Sequence, residues 1–548
     1  MKQVQSIAVI FLCCVAATLQ GQQAEKPRPN ILWITCEDMS MHLGSYGNKL
    51  VKTPNLDKLA AEGIRYTRTF ATAGVCAPSR SAIITGMHQQ SIGTQHMRTH
   101  KYPGNPNAYP PDYIGYAAVI PEKVKCFPEY LRVGGYYCTN NVKEDYQFDA
   151  PPTIWDESSN KAHWRNRKNP DQPFFSVFNF MVTHESQVWT RAKEPLLVDP
   201  KDVTVPPYYP DVPEVRQDIA RHLSNVMVMD QQAGELLKQL EEDGLVDNTI
   251  IFFFSDHGDG LPFVKREIYD RGTQVPMIIK FGNSWKTLNP FGAKTGVVDD
   301  QLVSFVDLAP TILSLAGLSV PEYIQGQAFL GPEKASPRKY VFAARDRMDS
   351  EYDRVRAIRD KQFLYLRNYM PEKPYYQNIS YRLQQPMMPV ILKMKEEGKL
   401  NEKQMLWFRQ SKPVEELYDC DADPHQFNNL VNDPAYKAKL AELRKAYDQW
   451  INEVGDLSAL PENEMVKRWW GGDDDAPVTA APNIRQQGST IKLTTATPGA
   501  SIGYKFKTKD SWNVYSEPLK VSGQDSLHVI SQRIGYRKSD VVSIPVKK

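Results

Sequence analysis

Short apolar runs, each closed by polar or acidic residues, punctuate the N-terminal part of the chain. Asn30–Thr35 (NILWIT) is one such run, and its unbroken hydrophobicity predicts a strand buried on both faces, as in a parallel sheet. Further strands are predicted at Tyr136–Thr139, Phe174–Phe180 (FFSVFNF), Thr249–Phe254 (TIIFFF) and Pro276–Lys280. Between these runs the hydrophobic period lengthens. Thr53-Pro54 opens a helical pattern that stops at Gly63. Glu214–Asp243 carries Ile219, Leu223, Val226, Leu236 and Leu240 near one helical face, and Asp307–Ala316 reads as a further helix. Strands alternating with helices predict an α/β sheet covered on both faces, a fold that collects functional groups at the carboxyl ends of its strands.

Polar groups stand at those ends. Glu37 and Asp38 follow the first strand, His184 follows Phe174–Phe180, and Asp256 and His257 follow Thr249–Phe254. From Val341 the pattern changes. VFAAR, RAIRD and KQFLYLRN read as short antiparallel strands, with a helix over Pro434–Val454, which predicts a smaller α+β subdomain. Trp469–Pro482 (WWGGDDDAPVTAAP) reads as a linker. The remaining segments (TIKLTTAT, IGYKFKT, SLHVISQRI, VVSIPV) alternate apolar and polar residues between turns, the pattern of a small β-sandwich. The expected organisation is a targeting segment 1–21, an α/β domain 22–340, a subdomain 341–468, a linker 469–482 and a β module 483–548.

A length of 548 residues agrees with about two to four domains. Lys plus Arg (66) against Asp plus Glu (64) gives a net charge of +2, so no bulk field attracts nucleic acid or a membrane surface. A small anionic substrate would have to be caught by a few local cations. At the N-terminus Lys2 precedes a short apolar stretch, Ile7–Thr18, and then a polar, Pro-containing segment. This is the form of an export signal cleaved near Gly21, and it predicts a secreted or periplasmic protein. The stretch is too short to span a bilayer, and Leu12 before Cys13 argues against a lipoprotein. Five cysteines remain beyond it (Cys36, Cys76, Cys126, Cys138 and Cys420), too few for a disulfide scaffold. Whether Cys126 pairs with Cys138 is not decided by spacing.

Cys76-Ala77-Pro78-Ser79-Arg80 is the most specific local signal. Pro78 fits the first turn of a helix, which sets Cys76 at a helix N-terminus that favours negative charge, and Arg80 adds a permanent cation. Cys-x-Pro-Ser-Arg followed by Thr85-Gly86 resembles the maturation signature of type I, formylglycine-dependent sulfatases of the alkaline phosphatase superfamily. The resemblance runs from Pro29 to Asn429. It includes NILWITCED, the stretch TPNLDKLAAEGIRYTRTFATAGVCAPSRSAIITG, SDHG, KREIYDRGTQVP and ELYDCDADPHQFNNL.

The resemblance implies an alkaline-phosphatase-like mixed sheet flanked by helices, and a Cys76 oxidised to formylglycine by a maturation enzyme. The hydrated aldehyde of that residue would attack sulfur with one hydroxyl and expel sulfate through the other. It further implies a divalent metal, Ca²⁺ with Mg²⁺ as the alternative, held by Glu37, Asp38, Asp256, His257 and the residue formed from Cys76. Arg80 belongs to the catalytic set, His184 assists the leaving group, and Lys265 binds sulfate with Arg266 beside it. Three departures stand out. Glu37 replaces the usual aspartate and His257 often stands where relatives carry Asn. The family's Gly-Lys-x-His motif is represented by Lys143 alone, because its histidine position falls on Asp145.

Within the family, VTVPPYYPDVPEVRQDIARHLSNVMVMDQQAGELL and neighbouring motifs resemble the N-sulfoglucosamine sulfohydrolases. His88, His96, Arg98 and His100 lie just beyond the nucleophile helix, where they either contact sugar or form a polar surface loop. The terminal module resembles the C-terminal module of chitobiase and hexosaminidase chains. The expected function is hydrolysis of a sulfate ester or N-sulfate on a sulfated sugar or glycosaminoglycan fragment. The alternatives are a phosphodiesterase or phosphonate hydrolase of the same superfamily, which would use Ser or Thr as nucleophile, and an inactive carbohydrate-binding relative.

Overall fold

The computed structural model describes residues 27–101, 108–507, 511–521 and 526–546. The expected export segment, residues 1–21, lies outside them. Nine strands form the main sheet: β1 (Asn30–Cys36), β2 (Ile64–Phe70), β3 (Tyr137–Asn141), β4 (Glu157–Ser158), β5 (Phe174–Phe180), β6 (Thr249–Ser255), β7 (Gln274–Phe281), β8 (Val297–Asp299) and β9 (Val303–Ser304). Their order is β4-β3-β5-β1-β6-β7-β2-β8, with β9 also paired to β2. All seven residues of β1 are buried, as its apolar run requires at the centre of a covered sheet.

The register sets up the site. Strands β5 and β6 both lie parallel to β1, and Cys36 pairs with Phe180 on one side and Ser255 on the other. Strand β3 runs parallel to β5. The carboxyl ends of four strands therefore open on one edge. The other half of the sheet departs from the parallel pattern, because β7 is antiparallel to both β6 and β2. The link from β6 to β7 contains only a four-residue helix, Asp270–Thr273, and a connection without a long crossover returns the chain antiparallel.

Side chains of β1 alternate between two cores. Ile31 and Trp33 face one of them, where Trp33 meets Phe175 and Phe254 edge-on at 5.0 and 5.2 Å. Leu32 and Ile34 face the other, which is closed by Val226, Met229, Ala233, Leu236 and Leu240 of the long helix Pro213–Glu242. Pro213 opens that helix at a position that needs no N–H donor.

Beyond the main sheet, β10 (Val341–Arg345), β11 (Val355–Arg359), β12 (Phe363–Asn368) and β13 (Glu415–Asp419) form an antiparallel sheet. The helix Lys437–Val454 covers it with Leu440, Leu443, Tyr447 and Trp450. Two small antiparallel sheets of three and four strands follow and enclose Ile491, Leu493, Leu527 and Val529. This module docks on the main domain through Arg533, which donates to Ile120 O at 3.0 Å, and through Lys125, which donates to Gly499 O at 2.6 Å. All five cysteines of the described residues are buried free thiols, so the Cys126–Cys138 pairing that spacing left open is absent. Among the described residues no helix is long and apolar enough to cross a membrane.

Candidate active site

The helix Cys76–Thr85 starts at Cys76 itself, after an extended Val75, and every one of its residues is buried. Cys76 thus occupies the first turn, where backbone N–H groups have no partner within the helix. Its Sγ lies 3.3 Å from His257 Nε2 and 3.8 Å from Asp38 Oδ1. The same helix carries Ser79, whose hydroxyl donates to Asp256 O at 2.7 Å, and Arg80. Arg80 spreads its guanidinium over Asp256 Oδ2 (3.2 Å), Asn179 Oδ1 (2.9 Å) and Glu37 Oε1. One helix therefore presents the thiol and holds two carboxylates beside it.

Asp38 turns back toward the thiol with a left-handed backbone (φ 50°). Its Oδ1 stands 3.0 Å from His257 Nε2, while Oδ2 accepts from Lys265 Nζ (2.6 Å) and Glu185 N (2.7 Å). Gly260 permits this approach, since a Cβ there would lie 2.8 Å from Asp38 Oδ2 and 2.7 Å from Glu185 Cα. Glu37 accepts from Lys143 Nζ at 2.5 Å. His184 is half-buried, with Nδ1 2.8 Å from the Ser186 hydroxyl. The ligating atoms of Glu37, Asp38, Cys76 and His184 lie within 4.8 Å of one another, as do those of Asp38, Cys76, Asp256 and His257.

Burial opposes charge on these acids, and the neighbours decide each outcome. Arg80 and Lys143 overcome burial and hold Glu37 far below the usual carboxylate range. Lys265, with His184 and His257, does the same for Asp38. Asp256 goes the other way, raised by burial and by the charge of Glu37. Burial raises the Cys76 thiol despite Lys143 and Lys265. The cluster holds more negative charge than its own cations offset at Asp256. Three buried carboxylates and an imidazole around one residue form a donor set that fits a hard divalent cation.

A cleft of about 610 Å³ opens above Cys76 and is bordered by Arg98, His100, Lys143, Asp145, His184, Lys265 and Tyr381. Asp145 lies 3.6 Å from Lys143. Three residues expected to bind substrate are placed elsewhere. His88 packs edge-on against the stacked rings of Phe342 and Trp450, and burial pushes its pKa down to about 3, so it is a neutral core group. His96 is buried beside Tyr352, where its Nδ1 accepts from Arg347 N at 3.3 Å. Arg266 is buried, and both its terminal nitrogens are spent on Glu185 at 2.9 and 2.8 Å. Arg98 does reach the cleft, with Nε on Asp349 and its guanidinium 4.8 Å from the Tyr381 ring centre.

Two residues at the site went unread in the sequence. Asn179 accepts from both Arg80 and Thr35 and donates to Asn140 Oδ1 at 3.0 Å. Glu185 joins Lys265 (3.1 Å) to Arg266. The available signals were a polar residue at the closing end of FFSVFNF and an acid beside His184.

Comparison with known proteins matches residues 29–318 to the family described as Sulfatase, and residues 258–386 to N-sulphoglucosamine sulphohydrolase, C-terminal. An ulvan-active sulfatase of Formosa agariphila is 45% identical across 97% of this chain and 96% of its own length. The human N-sulphoglucosamine sulphohydrolase is 25% identical across 81% of this chain and 94% of its own. A solved structure described as a complex with its substrate D-glucosamine-2-N,6-O-disulfate superposes with a TM-score of 0.54. It is 20% identical, over 78% of this chain and 98% of that one.

Proposed function

This chain belongs to the sulfatase family and is a sulfuric ester hydrolase, and from that premise we propose that it desulfates a sulfated polysaccharide of the ulvan kind, with Cys76 oxidised to formylglycine. The observation that carries the reading is the convergence of Glu37, Asp38, Asp256, His257 and Arg80 on a buried cysteine at a helix N-terminus. The 45% identical relative supplies the substrate class. Export ahead of residue 22, and a maturation enzyme that acts on Cys76, belong to the same proposal.

Hydrated formylglycine supplies a nucleophilic hydroxyl and a second hydroxyl that later releases sulfate. Glu37, Asp38, Asp256, His257 and residue 76 would hold the divalent metal, Ca²⁺ or else Mg²⁺, and when bound it supplies Lewis acidity toward sulfate oxygens. The remaining work falls to the chain's own side chains. Arg80 fixes the Glu37 and Asp256 carboxylates. Lys143 and Lys265 face Cys76 in the cleft and offset the charge of the incoming sulfate. His184 holds a proton at the departing oxygen. The Ser186 backbone N–H is directed at its Nδ1 (3.3 Å), which leaves the ring proton on Nε2. Arg98 and His100, at the rim, contact the sugar.

A second reading, cleavage of an N-sulfate, is favoured by the match of residues 258–386 to the N-sulphoglucosamine sulphohydrolase C-terminal family. Sulfate release from ulvan oligosaccharides, N-sulfoglucosamine and a phosphonate monoester separates the readings. The expected result is turnover of the ulvan fragments at least ~10²-fold above the others, the discrimination that buried polar contacts to a substrate can supply. Turnover confined to N-sulfoglucosamine would install the second reading, and turnover confined to the phosphonate would remove both.

A further inference from the structure

A second cluster of metal-ligating side chains lies apart from Cys76. His42, in the loop after β1, points Nε2 at Asp259 Oδ2 from 2.6 Å. His222, in the middle of the helix Pro213–Glu242, points Nε2 at Asp259 Oδ1 from 3.0 Å. The two rings stand edge to face with centres 5.8 Å apart. Nε2 is the only atom of the buried His222 ring with a polar contact among the described residues.

The charge balance around Asp259 is unusual. The residue is only 7% exposed, yet its carboxylate meets no Lys or Arg among the described residues. Its other side-chain contact is the Ser40 backbone N–H, which donates to Oδ1 at 2.7 Å. Isolated buried charge is costly, and neither histidine is a permanent cation. Two imidazole nitrogens and one carboxylate oxygen within 4.8 Å of one another also form a borderline-soft donor set that suits Zn²⁺. Tetrahedral coordination places ligand atoms about 3.3 Å apart, and Asp259 already holds each Nε2 within that distance, His42 through Oδ2 and His222 through Oδ1. His42 and Asp259 border a cleft of about 520 Å³ that gives an ion a path in and leaves room for a solvent ligand.

We propose that His42, His222 and Asp259 bind one Zn²⁺-class ion at a site distinct from the active centre. The site ties together three segments: the loop that also carries Glu37 and Asp38, the loop that also carries Asp256 and His257, and the long helix. Its role is to steady the two loops on which the active-centre ligands stand.

The test uses the full chain, stripped with a chelator, dialysed, and then equilibrated with Zn²⁺ alone. Bound metal is counted by elemental analysis for the parent, His42→Ala and Asp256→Asn. His42 lies on a partly exposed loop, so its truncation leaves the core intact. The parent is expected to retain one Zn²⁺ per chain more than His42→Ala, and the parent and Asp256→Asn, but not His42→Ala, should gain thermal stability at low micromolar Zn²⁺. With Co²⁺ in place of Zn²⁺, Asp256→Asn should keep a visible d–d spectrum that His42→Ala lacks. Equal metal counts in parent and His42→Ala would overturn the proposal, as would retention of no Zn²⁺ by the parent.

Discussion

At residue scale the account rests on which group protonates the departing oxygen. Asp145 stands where the family motif carries a histidine, and it is ion-paired with Lys143 at 3.6 Å. In the proposed function His184, on the cleft wall, is the motif-supported proton donor that remains. A positioned acid contributes roughly 10²–10⁴-fold, so His184→Ala should lower kcat on a sugar sulfate by that amount. It should cost much less on an aryl sulfate, whose leaving group needs little protonation, and Asp145→Asn should cost less than His184→Ala on both. Parallel kinetics on the two substrates check this, and a larger loss from Asp145→Asn would transfer the role to the aspartate. The residues that ended apolar runs were legible in the sequence because a strand's carboxyl end fixes their place. The burial of His88 and His96 was not legible, because closeness to the nucleophile helix does not reveal direction. The chain there turns under Phe342 and Trp450, partners more than two hundred positions away that no local pattern contains.

At element scale the long helix Pro213–Glu242 was plain from Ile219, Leu223 and Val226, but its buried polar face was not. Asp218 is 2% exposed and accepts the Met387 N–H at 2.7 Å. Burial raises its pKa to about 7, with the Met387 N–H opposing. An acid with a raised folded pKa contributes stability that is complete below its unfolded value of about 3.9 and is lost as pH climbs through about 7. Asp218→Asn keeps the acceptor and cannot ionise. It should therefore be more stable than the parent at pH 8 by on the order of 2–4 kcal/mol, with the gap closing toward pH 4. Urea midpoints at the two pH values decide it, and a gap independent of pH would contradict the assignment. Strand β2 and the direction of β7 escaped the sequence for definable reasons. Strand β2 (IRYTRTF) is broken by Arg65, Thr67 and Arg68 at its partly exposed positions and by the buried polar Thr69. The antiparallel turn of β7 depends on connection length, which a run of Val, Met and Ile does not encode.

At the scale of the whole molecule, distant parts of the chain brace the cleft. Glu462, from the helix Glu462–Trp469, accepts from Arg347 Nε (2.6 Å) and Nη2 (2.7 Å) and from the hydroxyls of Tyr116 and Tyr352, each at 2.8 Å. Arg347 in turn donates to Met97 O at 2.8 Å, beside the Arg98 that borders the cleft. Removal of one partner of a buried pair costs about 3–5 kcal/mol. Glu462→Ala should lose that much stability and raise KM more than it lowers kcat, because the groups around Cys76 stay in place. An unchanged KM would show that the brace carries only stability. These contacts span 110 to 346 residues of chain and had no signature in the sequence, whereas the three-part layout was visible in its changes of hydrophobic period. The proposed function rests on oxidation of a cysteine that this layout presents at a helix N-terminus. Mass spectrometry of the peptide spanning Cys76, from protein produced together with a sulfatase-maturing enzyme, addresses that claim most directly. The account predicts a peptide about 18 Da lighter than its cysteine form, and sulfatase turnover in proportion to the converted fraction. Full turnover from protein whose Cys76 retains its thiol mass would contradict it.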